Sequence, residues 1–127
     1  MTKLMLIAIG GALGSVLRYG CAGWVQGASG GLFPYGSLAV NISGCLCIGF
    51  FGMALGGPVM VREEYRLALI VGLFGGFTTF STFGWETFAL INDGQWLKAG
   101  ANLVVSNVAG LIDVWLGFRL AERAYGV

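Results

Sequence analysis

The chain reads as an all-α membrane protein of four transmembrane helices, and three observations predict this. Of its 127 residues, 57% are hydrophobic and only 10% are charged, with a mean hydropathy of +0.82. A soluble domain carries roughly a quarter charged residues. The apolar residues gather into four segments, each at least the ~20 residues that a spanning helix needs. The breaks between them are short and carry turn chemistry. Residues 1–127 therefore form a single integral membrane domain. The net charge of +1, with no basic cluster or face, gives no support to nucleic acid as a partner.

The first segment, about Leu4 to Trp24, follows Lys3 and superficially resembles a signal peptide. It carries Arg18 inside, has no obvious small-residue cleavage site, and precedes three further spans, so it reads as retained. Arg18 reads either as a side chain snorkelling to the interface or as an electropositive mouth that gathers anions; the two are compatible. The stretch Gly27 to Gly31 is the first loop. The second segment runs from about Pro34 to Leu55 and holds Ser37 and, one turn later, Asn41. An amide at membrane depth needs a partner, either a neighbouring helix or a polar pathway. Gly56-Gly57-Pro58 and then Arg62 to Arg66 form the second loop.

The third segment, about Arg66 to Ile91, holds the most informative residues, GGFTTFSTFG at Gly75 to Gly84. Two glycines followed by Thr78, Thr79, Ser81 and Thr82 are an odd centre for an unbroken helix. Irregular backbone at this depth is tolerated only where protein buries it or where it lines a wet cavity. Carbonyls released at Gly75 and Gly76 by a break are hard cation ligands. Phe80 and Phe83 are three apart and share a face with those hydroxyls and with Glu86. Plain packing explains a phenylalanine pair; an aromatic and polar face at mid-membrane points to an ion or polar solute. For Glu86 the structural alternative is a partner for Arg18 or a backbone group.

Asn92-Asp93-Gly94 ends that segment, and the fourth runs from about Trp96 to Leu120. Asn102, Ser106 and Gly110 are spaced four apart, one stripe on one face. It reads as a polar track or as another helix's contact face. Asn107 and Asp113 add polarity, and Asp113 is expected to pair with an arginine near the helix end. The chain has no histidine, and its three cysteines, Cys21, Cys45 and Cys47, read as small buried hydrophobes. No nucleophile–base set suggests an enzyme. Glycine is abundant, 23 of 127, and Gly10, Gly11 and Gly14, with Gly44, Gly49 and Gly52, suit close helix contacts. Four short helices bury little surface alone, which favours a two-fold dimer. Lys3, Arg62, Arg66, Arg119 and Arg123 fall on the side of the termini. Lys98 falls on the other, joined by Arg18 if its headgroup reaches that end. The positive-inside rule then favours cytoplasmic termini.

In order along the chain, GGALGSVLRYG, PYGSLAVNISG, GLFGGFTTFSTFGWE and the four-spaced stripe together resemble the Fluc (CrcB) fluoride channels of microbes, over essentially the whole sequence. The third motif is close to diagnostic. The resemblance implies a fluoride-selective channel, multi-pass in the cell (inner) membrane, that exports fluoride passively and so confers resistance. It implies an antiparallel, dual-topology homodimer with the third helix broken at its centre and two pores. A structural Na+ would sit at the dimer centre on main-chain carbonyls of Gly75 and Thr78. The ion pathway would use Asn41, Phe80, Phe83, Ser37, Ser81, Thr82, Asn102 and Ser106, with Arg18 in the vestibule and Glu86 in support. Family members often carry Tyr where this chain has Asn102, and Ser where it has Gly110. Two rival readings stand beside it. A small four-span dimeric multidrug or cation exporter needs an acidic residue in its first helix, where this chain has Arg18. An accessory membrane subunit leaves the polar centre of the third segment without a use.

Overall fold

The computed structural model describes residues 1–126 and is all-helical among them. Four helical spans are long and apolar enough to cross a membrane: Thr2–Ser29, Tyr35–Ala54, Glu63–Asn92 and Trp96–Tyr125. The first, second and fourth are single helices, α1 (Thr2–Ser29), α2 (Tyr35–Ala54) and α6 (Trp96–Tyr125). The third is composite. It begins as α3 (Glu63–Leu67), continues as a π-helical stretch, Ala68–Phe74, and returns to α geometry in α4 (Gly75–Phe77). Thr78 and Thr79 are then extended, at φ/ψ −86/158 and −149/118, before α5 (Phe80–Asn92).

The ends of the spans differ from the sequence boundaries for local reasons. α1 runs five residues past Trp24, through Gly27, and turns only at Gly30 and Gly31, whose φ values are 65° and 86°. Such angles are cheap for glycine alone. The Gln26 amide closes this turn by donating to the carbonyls of Gly31 (3.2 Å) and Phe33 (3.1 Å), while its oxygen accepts from Gly36 N–H (3.1 Å) at the start of α2. Arg62 to Arg66, expected as loop, is instead the cap and first turn of the third span. Glu63 and Glu64 sit in that turn, where carboxylates favour the positive end of the helix dipole.

The helices alternate in direction. Lys3 Nζ donates to Glu63 Oε1 (3.0 Å), so α1 and the third span start at the same end. The Tyr125 ring lies 6.4 Å from that of Phe50, which brings the end of α6 beside the end of α2. α2 packs chiefly on α6, and α1 chiefly on the π-helical stretch. Both contacts bring backbones together at glycine. A Cβ on Gly10 would sit 2.3 Å from Ala68 O, and one on Gly14 2.1 Å from Leu73 O. On the α2–α6 side, a Cβ on Gly49 or Gly117 would stand 2.1 Å from the facing carbonyl oxygen. Gly52, expected at such a contact, faces open space. Large apolar side chains cover the outside, among them Leu13, Val16, Trp24, Val104 and Leu111, as lipid rather than water requires. Among the described residues, every buried side-chain N or O atom has a hydrogen-bond partner.

Candidate functional site

The polar chemistry collects around Thr78 and Thr79. In a continuous helix the Thr79 N–H would bond Gly75 O. Here it donates to Asn41 Oδ1 (2.7 Å), while Asn41 Nδ2 donates to Thr79 O (3.0 Å). The side-chain amide thus grips both polar groups of one residue, and Gly75 O loses its usual donor. Thr78 O accepts from Arg18 Nη1 (3.2 Å), and Thr78 Oγ1 donates back to Phe74 O (3.0 Å). Thr79 caps α5: its Oγ1 accepts from Thr82 N–H (3.1 Å) and donates to Thr82 Oγ1 (3.0 Å). Gly44 makes room for this, since a Cβ there would stand 2.2 Å from Thr78 Cγ2.

Two helix ends meet at this step. The helical run that ends at Phe77 presents carbonyls, the negative end of its dipole, and α5 opens with N–H groups, the positive end. Paired helix ends of this kind serve cations at one side and anions at the other.

Two pockets flank the step. The larger, of about 720 Å³, is walled by α1, α2 and α5 and includes Arg18, Ser37, Thr79, Thr82, Glu86 and Asp93. The smaller, of about 270 Å³, lies between α2, the extended step and α6. Asn41, Cys45, Phe80, Phe83, Ser106 and Asn107 line it, together with Thr78 and Thr79. Thr79 is common to both. The Phe80 and Phe83 rings are 5.5 Å apart and tilted by 44°. Phe83 is buried, whereas Phe80 is 82% exposed on the isolated chain.

The residues singled out from sequence thus divide between the two pockets, with Ser81, Gly75 and Asn102 placed apart. Asn41, Thr78, Phe80, Phe83 and Ser106 come together in the smaller pocket. Arg18, Ser37, Thr82 and Glu86 share the larger one. Ser81 is exposed beside Thr79, 3.4 Å between hydroxyls. Gly75 lies outside both pockets, at the end of the helical run whose carbonyls face the step. Asn102 is not at a pocket wall: it is 1% exposed, donates to Thr87 Oγ1 (2.9 Å), and accepts from Ser106 Oγ (3.2 Å). It anchors α6 to α5 from behind Ser106.

Arg18 points to the Thr78 carbonyl, not to the interface, and its pocket also holds two carboxylates, Glu86 and Asp93. The mouth is therefore mixed in charge, not simply electropositive. Glu86 pairs with Ser37 Oγ and not with Arg18. Asp113, expected to pair with an arginine, takes part in none of the ion pairs among the described residues. Sequence reasoning read Cys45 as a small buried hydrophobe, placed Asp93 in a turn, and counted Asn107 only as added polarity; the structure puts all three at pocket walls. The spacing of Cys45, four after Asn41 on the same helix face, was the available signal.

Comparison with known proteins adds an independent line. The model of a protein family described as CrcB-like protein, Camphor Resistance (CrcB), matches residues 5–118. A protein of Chloroflexus aurantiacus named "Fluoride-specific ion channel FluC" is 44% identical over 122 residues, 96% of this chain and 97% of its own length. The protein of the same name from Geobacter sulfurreducens is 42% identical over 123 residues, 97% of this chain and 99% of its own. That from Rhodospirillum rubrum is 48% identical over 115 residues, 89% of each.

Proposed function

The chain belongs to the CrcB family, and on that premise we propose that it is a fluoride-selective channel giving passive fluoride export, and so fluoride resistance, as a multi-pass protein of the cell inner membrane. The observation that carries this is near full-length similarity to proteins named fluoride-specific ion channels, in a chain whose Asn41, Phe80, Phe83 and Ser106 line one pocket.

The physics fits a small, strongly hydrated anion. A selective path replaces water with donors, and removing a charge from water costs many kcal/mol unless compensated. The Ser81 and Thr82 hydroxyls and the remaining N–H of Asn41 are such donors, while Ser37 and Ser106, whose protons go to Glu86 and Asn102 in the isolated chain, serve the path only by turning those protons to the anion. Phenyl ring edges carry the positive end of the ring quadrupole, so Phe80 and Phe83 present partial positive charge without a hydration shell. The N-terminal end of α5 adds peptide N–H groups of the same sign. Asn102 holds the Ser106 hydroxyl in place, Glu86 orients Ser37, and Arg18 lends positive charge beside the step.

The assembly we propose is an antiparallel homodimer with two pores, the third span broken at Thr78–Thr79 in each subunit. The exposed Phe80 ring and the open smaller pocket are features that a second copy would cover. A structural Na+ would be held by the main-chain carbonyls of Gly75 and Thr78. The residues fit it: Gly75 O has lost the Thr79 N–H to Asn41, and a carbonyl with two lone pairs at Thr78 can serve Arg18 and a cation together. When bound, the ion supplies positive charge that offsets part of the cost of a nearby anion. No enzymatic activity is proposed. The exporter reading has little support, since α1 holds Arg18 and no acidic residue.

Purified protein reconstituted in liposomes, with a fluoride electrode and a potassium ionophore, tests this directly. Fast fluoride efflux with negligible chloride efflux is the expected result. A well-folded protein that passes no fluoride would overturn the reading.

A further inference from the structure

Asn107 is the most exposed polar group of the smaller pocket for which the mechanism above has no use. It lies on the α6 wall, and Asn41 lies on the α2 wall. Its Nδ2 donates to Leu103 O (2.7 Å), one turn back on its own helix, and that is its one hydrogen bond among the described residues. The bond holds the amide in one rotamer and leaves a second N–H and the Oδ1 unengaged. The residue is exposed on the isolated chain, in the interior of a 30-residue span. An amide turned to lipid at that depth is costly, so such groups face a polar pathway or another protein surface.

Position decides between these. Asn107 shares its pocket with Phe80, Phe83 and Ser106. Asn41 has already committed its oxygen and one N–H to Thr79, so the α2 wall offers one amide donor, and the α6 wall offers Ser106 and Asn107. Ser106 directs its own proton to Asn102 Oδ1. The donor on the α6 wall of this pocket that is not engaged among the described residues is therefore the second N–H of Asn107.

Resting on the fluoride-channel reading, we propose that Asn107 is a specificity-determining residue of the pathway: its second amide N–H meets the anion across the pocket from Asn41, with the Phe80 and Phe83 rings between the two walls. The amide oxygen, which would repel an anion, turns away when that N–H turns in, so one rotamer serves both needs.

The test compares wild type, Asn107→Leu and Asn107→Ser in liposomes, reading fluoride efflux and chloride efflux per assembled protein, with elution volume and melting temperature as controls. Leucine keeps the size and suits lipid; serine restores a donor. We expect Asn107→Leu to lower fluoride efflux roughly ten- to hundredfold, the worth of one hydrogen bond to a charged group. Elution and melting should be unchanged, and Asn107→Ser should keep most of the flux. Asn107→Leu efflux within about twofold of wild type, the scatter of an ordinary surface substitution, would overturn the assignment. So would equal loss in both variants together with loss of assembly, which would make Asn107 a contact between copies. Absence of fluoride flux from the wild type is a different failure: it would sink the channel reading itself, and this role with it.

Discussion

At the scale of single residues, Asn41 does two jobs that pull in different directions. Its amide satisfies the Thr79 N–H and carbonyl, and the proposed function also asks it to meet an anion. Only one N–H remains for the second task. Asn41→Ala should therefore lose stability as well as flux. Two partly buried backbone groups would be left unpaired, a cost of order 2 kcal/mol, visible as a lower melting temperature. Asn41→Asp separates the jobs: it can still accept from Thr79 N–H but cannot donate, and it adds a negative charge. We expect it to retain more stability than Asn41→Ala while passing less fluoride, both measured on the same preparations. Phe80 offers a cleaner case, because its ring is largely exposed and supports little packing within the chain. Phe80→Ile should leave the fold intact and abolish most fluoride efflux. Flux untouched by that change would count heavily against ring edges as anion contacts.

At the scale of elements, the third span is where sequence and structure part company. The four spans, their alternation and the polar centre at Thr78–Thr82 were legible, because apolar run length, turn residues and misplaced hydroxyls are local signals. The π-helical stretch Ala68–Phe74 was not. Its residues, Ala-Leu-Ile-Val-Gly-Leu-Phe, read as an ordinary apolar helix, and the wider turn depends on what lies against it. That neighbour is α1, whose Gly10 and Gly14 let the carbonyls of Ala68 and Leu73 come within reach of its own backbone. Nor was the placing of Asn102 legible. Its four-residue spacing with Ser106 put both on one face, but only packing decides which member of a stripe is buried against Thr87 and which meets a pocket. The α1 contact is testable by paired glycine changes. Gly14→Ala would drive a methyl to 2.1 Å from Leu73 O, backbone that cannot step aside cheaply, and should destabilise by about 1–3 kcal/mol. Gly20→Ala, on the same helix with nothing within 4 Å, should be neutral or stabilise by up to about 1 kcal/mol. Similar melting temperatures for the two would mean that α1 does not sit as closely on the third span as described.

For the whole molecule, charge and assembly are in tension. Lys3, Arg62, Arg66, Arg119 and Arg123 share the end of the termini. Arg18, bonded to Thr78 O at the extended step, belongs to neither end, which leaves Lys98 alone on the other side. Lysine and arginine excess decides orientation, and acidic partners contribute little to it, so the ion pairs Lys3–Glu63, Arg62–Glu64 and Arg119–Glu122 do not cancel the bias. An antiparallel homodimer needs both orientations. The proposed assembly therefore works with a minority of inverted chains setting the number of complete dimers, and flux per chain becomes a measure of orientation balance. Lys98→Gln removes the one opposing charge and should lower fluoride flux from native membranes. Arg62→Gln with Arg66→Gln cuts the bias to three against one and should raise it. Arg62 and Arg66 are exposed and Lys98 is half-buried; charges so placed make contacts worth at most about 1 kcal/mol each, so folding should be unaffected. Orientation is read by labelling a cysteine appended after Val127, with a membrane-impermeant reagent, in a Cys21→Ala, Cys45→Ala, Cys47→Ala background. If the labelled fraction shifts as expected and flux follows it, the antiparallel dimer stands. If the chain lies in one orientation and passes fluoride at full rate, the copies pair in parallel, and the exposed Phe80 rings must then meet across a different axis.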